Sequence, residues 1–218
     1  MQVRMSSPTG EAKGNNMLRS ILQLNDNDSV LRKKSRKLTL DEIKSDEIQL
    51  LIQEMKKMMR EAPGVGLAAP QIGINIQLAV IEDPMDRLIE FSPQVLSDKV
   101  REHVPFHVII NPDIINLSGK LKYFFEGCLS VKGHVRVTPR HDSVKIDFLD
   151  EYGQKKIIDA KGWYARILQH EIDHLNGRLY VDIADERTDL IVDDNFKKKW
   201  AHALSPDILD FFKAKCSE

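Results

Sequence analysis

The sequence is poor in cysteine, lacks long apolar runs and has no excess of charge of one sign. Its 218 residues include two cysteines, Cys128 and Cys216, too few for a disulfide framework, so we expect a reducing compartment with one thiol free for chemistry. No apolar run approaches the roughly 18 residues that span a bilayer, which argues against a transmembrane protein. With 32 Lys and Arg against 33 Asp and Glu, no global basic field favours nucleic acid or acidic membranes.

The remaining composition is that of a globular chain. Hydrophobic residues make up 42% and charged residues 30%, and the length fits one compact domain with extensions. Residues 1–16 contain neither an apolar core nor a secretory signal and are predicted to be a flexible leader. A single catalytic domain is predicted over 17–218, with a polar, poorly periodic surface insertion at 83–107 and a C-terminal extension at 184–218.

Apolar periodicity predicts a helix near each end of the domain. The first runs from Asp41 to about Glu61, because apolar residues recur there at three- and four-residue steps: Ile43, Ile48, Leu51, Ile52, Met55 and Met59. Thr39 and Glu42 form a plausible capping box before it. The C-terminal helix is predicted to take Ser205 as its N-cap and Pro206 as its first residue.

Between these helices the pattern favours short strands and a second long helix. The strand-like runs are 76–81, 108–110, 121–125, 144–149 and 156–160. Alternation of Val144, Ile146 and Phe148 with polar residues is typical of a half-buried antiparallel strand, and 150–153 is predicted to turn into the next one. The second helix runs from about Gly162 to Leu175 and ends at Asn176-Gly177.

The second long helix carries the chemistry. Residues His170-Glu171-Ile172-Asp173-His174 match H-E-x-x-H, and four residues advance a helix by about 400°, so both imidazoles lie on one face within reach of one metal ion. Glu171 lies about 100° round the helix, where its carboxylate can hold a metal-bound water without being a ligand. We therefore predict an α+β fold: antiparallel strands packed around a central metal-binding HExxH helix, with an N-terminal helix and a C-terminal helix.

A catalytic metal site needs a third protein ligand, and the spacing leaves three candidates. One protease pattern places that ligand six residues past the second His, where this chain has Tyr180, a poor ligand. Another takes a carboxylate from a later helix, for which Asp193 and Asp194 are at a plausible distance. The third candidate is Cys128, whose thiolate would suit a soft divalent ion.

Three segments together resemble the signature motifs of the peptide deformylases, in the same order. They are Gly64-Val65-Gly66-Leu67-Ala68-Ala69-Pro70-Gln71, Glu126-Gly127-Cys128-Leu129-Ser130 and Gln169-His170-Glu171-Ile172-Asp173-His174-Leu175. The resemblance implies hydrolytic removal of the formyl group from the N-terminal formyl-methionine of nascent chains. It also implies a divalent metal held by Cys128, His170 and His174, with iron(II) as the expected native ion and zinc, nickel or cobalt as alternatives.

The same resemblance assigns roles to other residues. Glu171 moves the proton of the attacking water, and the side-chain amide of Gln71 and the backbone N–H of Leu129 stabilise the oxyanion. The glycine loop binds the peptide in extended form, and the pocket residues are Gly64, Val65, Gly66, Phe124, Trp163, Arg166 and Ile167. Arg166 and Lys132 depart from residues common in the family. Glu126 is predicted to pair with Arg140 and hold the Cys128 loop.

The implied partners are nascent formyl-methionyl peptides, met at the ribosome, in a bacterial-type cytoplasm or an organelle matrix. No direct nucleic-acid or membrane partner is evident from the sequence. Two other functions fit part of the pattern: an HExxH zinc endoprotease with a carboxylate ligand, and a non-catalytic metal-binding homologue. Retention of Glu171 and Gln71 argues against the last, because neither is needed merely to bind metal.

Overall fold

The structure, a computed structural model, describes residues 19–25 and 29–217; the predicted leader at 1–16 lies outside these residues. In the described part of the chain, a 3-10 turn (Ser29–Arg32) and two α-helices, α1 (Leu40–Ile43) and α2 (Asp46–Glu61), precede the sheet. The prediction of one continuous helix here was wrong at a single point. The chain breaks at Ser45, whose hydroxyl accepts a hydrogen bond from the Ile48 N–H and so begins a new helix.

The described residues contain six strands that form one sheet of antiparallel pairs, in the order β1-β2-β3-β4-β5 with β6 paired to β4. Their bounds are β1 (Gly66–Ala68), β2 (Leu78–Asp83), β3 (Val104–Cys128), β4 (Val131–Leu149), β5 (Lys155–Lys161) and β6 (Leu190–Ile191). The runs predicted separately at 108–110 and 121–125 are parts of the single strand β3. Bulges, one of them between Ile110 and Asp113, bend this strand without ending its ladder to β4.

The other helices are α3 (Met85–Leu88), α4 (Pro93–Lys99), α5 (Gly162–Leu175), α6 (Asp194–Lys199) and α7 (Ser205–Cys216). Helix α5 has the predicted bounds and is followed by Gly177 in the left-handed region, with φ +73°. The cap predicted for α7 is shifted by one residue. Leu204 occupies the N-cap, while the Ser205 hydroxyl donates to the Asp98 carboxylate at 2.7 Å.

The sheet lies between α2 and α5, as alternation along β2 shows. Leu78 and Val80 are buried in the cluster that includes the apolar face of α2, whereas Ala79 and Ile81 are buried in the cluster that includes α5. Helix α5 is therefore covered by strands on its inner face, and the predicted α+β class with a central HExxH helix is confirmed. Within the described ranges, no helix is long and apolar enough to cross a membrane.

The segment 83–107 extends β2 and β3 at its ends and forms α3 and α4 between them. Its base is held by a buried ion pair in which the Arg101 guanidinium donates to both oxygens of Asp83, at 2.7 and 2.9 Å. Leu88 and Val95 are buried, so this polar segment adds core residues that its composition did not predict. Its status as an insertion stays a prediction.

Candidate metal centre and adjoining cavity

Three ligand-type atoms converge where the end of β3 meets α5. Cys128 is the last residue of β3, and His170 and His174 lie one turn apart on α5. The Cys128 sulfur is 3.2 Å from His174 Nε2, which is 3.2 Å from His170 Nε2, and the three ligand atoms all lie within 4.8 Å of one another. The structure thus brings together the two histidines and one of the three candidate third ligands.

The other two candidates are engaged elsewhere. The Tyr180 hydroxyl donates to the His134 carbonyl at 3.1 Å, and Asp193 accepts the Phe196 N–H as the N-cap of α6. Asp194 is exposed beside Lys197. In the part of the chain that the structure describes, Cys128, His170 and His174 form the one group of three or more His, Cys, Asp or Glu ligand atoms close enough to hold a metal.

The contacts of this group direct its ligand atoms toward one another. His170 Nδ1 lies 2.7 Å from Glu126 Oε1, and because a carboxylate only accepts, a ring proton sits on Nδ1 and Nε2 faces the cluster. Burial by itself lowers the pKa of His170, but its contacts with Cys128 and Glu126 hold that pKa well above its usual range, whereas burial holds the pKa of His174 well below its usual range. Two imidazole nitrogens and a sulfur at this spacing form a ligand set suited to a soft divalent ion.

Glu126 is the hub of a buried ionic network behind the ligands. The Arg140 guanidinium donates to both of its oxygens, at 2.6 and 3.2 Å, and Arg166 donates to one of them at 2.7 Å. Burial by itself raises the pKa of Glu126, but Arg140, His170 and Arg166 together hold it well below its usual range. Arg140 also contacts Asp173, so the predicted Glu126–Arg140 pair exists within a larger network.

Glu171 lies beside the ligands in an apolar setting. Its side chain is 3% exposed, and burial raises its pKa to about 7. A Cβ added to Gly66 would lie 2.1 Å from Glu171 Oε1, so the carboxylate occupies space that only glycine leaves open. Glu171 Oε2 is buried without a hydrogen-bond partner among the described residues, as expected of a carboxylate that serves a ligand.

Gln71 is held so that its amide nitrogen faces the cluster. Its Oε1 accepts the Ala68 N–H at 2.8 Å, which leaves Nε2 to donate to the Ser130 hydroxyl at 3.2 Å and to approach the Cys128 sulfur at 3.5 Å. The Ser130 N–H also donates to that sulfur, at 3.3 Å. Sequence reasoning named Ser130 only as part of a motif, although a hydroxyl two residues from a candidate thiolate ligand was a usable signal.

A cavity of about 490 Å³ opens beside these groups. Eight of its wall residues were predicted from the sequence, either for the pocket or for the oxyanion: Gly64, Val65, Gly66, Gln71, Leu129, Trp163, Arg166 and Ile167. Phe124, also predicted for the pocket, does not line this cavity. It is buried with Val137, Ala203 and Ile208 under α7, and its ring packs edge to face with that of Trp163, behind the wall. Arg166 serves mainly the Glu126 network.

Several wall residues were missed, namely Lys132, His134, Val135 and Val192. Of these, only Lys132 was singled out in the sequence, as a departure from a residue common in the family and not as part of the pocket. Val192 lies 64 positions beyond Cys128 along the chain, and no local pattern marks such a residue. Its place in the wall follows from the pairing of β6 with β4.

An antiparallel sheet around an HExxH helix, with a thiol and two imidazoles gathered beside a buried glutamate, defines the class of α+β metal-dependent hydrolases. Comparison with known proteins narrows this class. The family model described as polypeptide deformylase matches residues 18–189. The chain belongs to the peptide deformylase family, a metal-dependent family, and the resemblance seen in the sequence is confirmed.

Individual members show how far the likeness extends. Peptide deformylase 1A, chloroplastic, of Solanum lycopersicum is 49% identical over 163 residues, which cover 74% of this chain and 58% of that protein. The class I type b peptide deformylase of Acinetobacter baumannii, solved bound to Met-Ala-Ser, superimposes with a TM-score of 0.66 at 28% identity, covering 77% of this chain and 98% of that one. The Synechococcus elongatus peptide deformylase in complex with actinonin gives 0.64 at 37% identity, covering 78% and 82%.

Proposed function

We propose that this protein hydrolyses the formyl group from the N-terminal formyl-methionine of nascent polypeptides and releases formate. The observation that carries the proposal is the convergence of Cys128, His170 and His174 beside Glu171 and Gln71 at the wall of one cavity. The Acinetobacter baumannii relative was solved with Met-Ala-Ser, a peptide of the kind that deformylation would leave. Family membership supports the same reaction.

Cys128, His170 and His174 would hold the metal. A divalent ion bound there supplies Lewis acidity, which lowers the pKa of water and polarises a carbonyl oxygen. We propose iron(II) as the native ion, with zinc, nickel and cobalt as ions that the same ligands accept. Glu126 keeps His170 in the tautomer that presents Nε2, and this contact orients the ring as well.

Glu171 and Gln71 would carry the remaining chemistry. Glu171 takes the proton of the water that attacks the formyl carbon and passes it to the methionine nitrogen as the C–N bond breaks, which yields formate and a free amine. Its pKa, raised to about 7 by burial, suits both accepting and returning a proton near neutral pH. The Gln71 amide and the Leu129 N–H donate to the formyl oxygen as it gains negative charge.

The peptide would bind along β1. Among the residues that the structure describes, this strand lies at the edge of the sheet and pairs only with β2, so its other side can bond an extended peptide. Gly64, Val65 and Gly66 lie there in the cavity wall, and Trp163 and Ile167 add apolar surface for the methionine side chain. We propose encounter with nascent chains at the ribosome, in a bacterial-type cytoplasm or an organelle matrix.

A formate-release assay on formyl-Met-Ala-Ser, run anaerobically with iron(II) or nickel, tests the proposal. Wild-type protein should release formate, and Glu171→Gln should keep its metal while losing activity by about 10²–10⁴-fold, the contribution typical of general acid–base catalysis. The matched control is Glu61→Gln, a substitution on the exposed end of α2 that should change neither quantity. A fully metallated wild-type protein that releases no formate would refute the proposal.

An HExxH endoprotease is the competing function, and Cys128→Ser separates the two. A deformylase that uses the thiolate loses metal affinity or activity in this variant, whereas an endoprotease with a carboxylate ligand is unaffected. The structure favours the first outcome, because Cys128 Sγ lies 3.2 Å from His174 Nε2 and both candidate aspartates are on or beside α6. A non-catalytic homologue would bind metal and release no formate.

A further inference from the structure

The end of the chain reaches the candidate active site. The family match stops at residue 189, yet the strand that follows, β6, lies directly against the cavity wall. His134 and Val135 of β4 pair with Ile191 and Leu190 of β6, and the Val192 N–H donates to the Gly133 carbonyl at 2.9 Å. A segment outside the family match thus forms part of the cavity.

The last two residues of the family match, directly before this segment, fix its start to β4. The Thr188 hydroxyl accepts the Val137 N–H at 3.1 Å, and the Asp189 carboxylate contacts His134 and Arg136, each at 3.3 Å. Thr188 is fully buried. Because side-chain and main-chain contacts both hold the segment, the residues that follow Thr188 have a defined position relative to the cavity.

Neighbouring residues of this segment have different surroundings. Val192 lies in the wall of the cavity and remains 37% exposed. Ile191, next to it, is 66% exposed and is not part of that wall. Successive side chains of an extended chain point to opposite sides, which accounts for the difference. The pair provides a test residue and a control one position apart.

The burial of the wall residues shows where Val192 lies relative to the catalytic groups. The buried Glu171 marks the inner end of the cavity, whereas Lys132, Gly133 and His134 beside Val192 are exposed and mark its mouth. A formyl group at the inner end leaves the later residues of the peptide at the mouth. A valine there offers apolar surface to the side chains that follow methionine.

We propose that Val192 is a specificity-determining residue that favours substrates with an apolar side chain at the second or third position. This inference rests on the proposed deformylase function and adds to it a preference set by the C-terminal segment. Removing about one or two buried methyl groups from such a contact weakens binding by roughly three- to tenfold.

The experiment compares the selectivity of wild type, Val192→Ser, Val192→Asp and the control Ile191→Ser. For each protein kcat/KM is measured on formyl-Met-Leu-Ser, formyl-Met-Ser-Ser, formyl-Met-Ala-Leu and formyl-Met-Ala-Ser, and on the peptides with Lys in place of Leu. Val192 is half-exposed, so each variant is expected to fold, and its melting temperature and metal content are recorded alongside.

Val192→Ser should lower the Leu-to-Ser selectivity ratio at one of the two positions by about three- to tenfold. Val192→Asp should raise the Lys-to-Leu ratio at the same position, because the new carboxylate attracts the ammonium group, and Ile191→Ser should match wild type. If both Val192 variants keep the wild-type selectivity ratios at both positions, the inference is overturned while the proposed deformylase function stands. A wild type without formate release would overturn the proposed function and this inference with it.

Discussion

Replacing Glu126 by Gln tests the buried network behind the candidate metal centre. The glutamate accepts hydrogen bonds from Arg140 and Arg166 and lies 2.7 Å from His170 Nδ1. Glutamine has nearly the same shape but no charge, and its amide nitrogen would face either a guanidinium or the ring N–H. Arg140 keeps its contact with Asp173, whereas Arg166 retains only carbonyl acceptors, those of Thr138 and Lys122.

These contacts set the expected losses of folding stability and of metal affinity. Removing one partner of a buried ion pair typically costs about 3–5 kcal/mol, because it leaves a charge uncompensated, and both arginines here are buried. We expect a loss of that size in the free energy of unfolding of the metal-free protein. Loss of the partner that orients a metal-ligating histidine typically weakens metal binding by about 10–100-fold, so the dissociation constant for nickel should rise by that factor.

Chelator competition measures the metal affinity, and urea unfolding of the metal-free protein measures the stability. Glu82→Gln is the matched control, since Glu82 also accepts two hydrogen bonds from one arginine, Arg60, at 2.7 Å each, but Arg60 is half-exposed and Glu82 contacts no candidate ligand. This variant should keep wild-type metal affinity, and its free energy of unfolding should fall by at most about 1 kcal/mol. If Glu126→Gln binds nickel as tightly as wild type, Glu126 does not orient His170 and the reasoning is refuted.

Three other substitutions or comparisons test separate features. Burial lowers the pKa of Lys99 from 10.5 to about 8, with Arg101 and Arg166 adding to the effect and Asp98 opposing it. Below pH 8 the folded chain bears the full cost of the buried charge. Between about pH 8 and 10.5 the unfolded chain binds more protons than the folded chain, so the stability of the fold rises with pH. In urea unfolding, Lys99→Met should therefore be more stable than wild type by roughly 3 kcal/mol at pH 7 and by less at pH 9.5. An equal gain at both pH values would contradict the assigned cost of burying the charge. Gly66→Ala should abolish formate release with metal still bound, because its Cβ would lie 2.1 Å from Glu171 Oε1; wild-type activity would show that the carboxylate has room to move. An iron(II) form should lose activity in air faster than a nickel form, because both the iron and the Cys128 thiolate are oxidisable, and equal inactivation rates in a timed assay would count against this.

Interactions between residues close in sequence were sufficient to predict α5, the helix that carries the HExxH motif. The bounds of α5, its glycine terminus and the placement of His170 and His174 on one face follow from interactions within four residues, which the sequence displays directly. The single error in the N-terminal helix was also local, since Ser45 competes for the Ile48 N–H. The bulged strand β3 was harder to predict, because its continuity depends on pairing with β4 rather than on its own alternation.

The sequence alone therefore determined the α+β class, the HExxH helix and, through three ordered motifs, the family. Tertiary structure decided which of three candidates stands beside the histidines, added Arg166 to the predicted Glu126–Arg140 pair, placed Phe124 in the core behind the wall, and brought Val192 to the cavity. Each of these depends on contacts between residues far apart in the chain. Such contacts are set by strand register and helix packing, and no short pattern of residues encodes them.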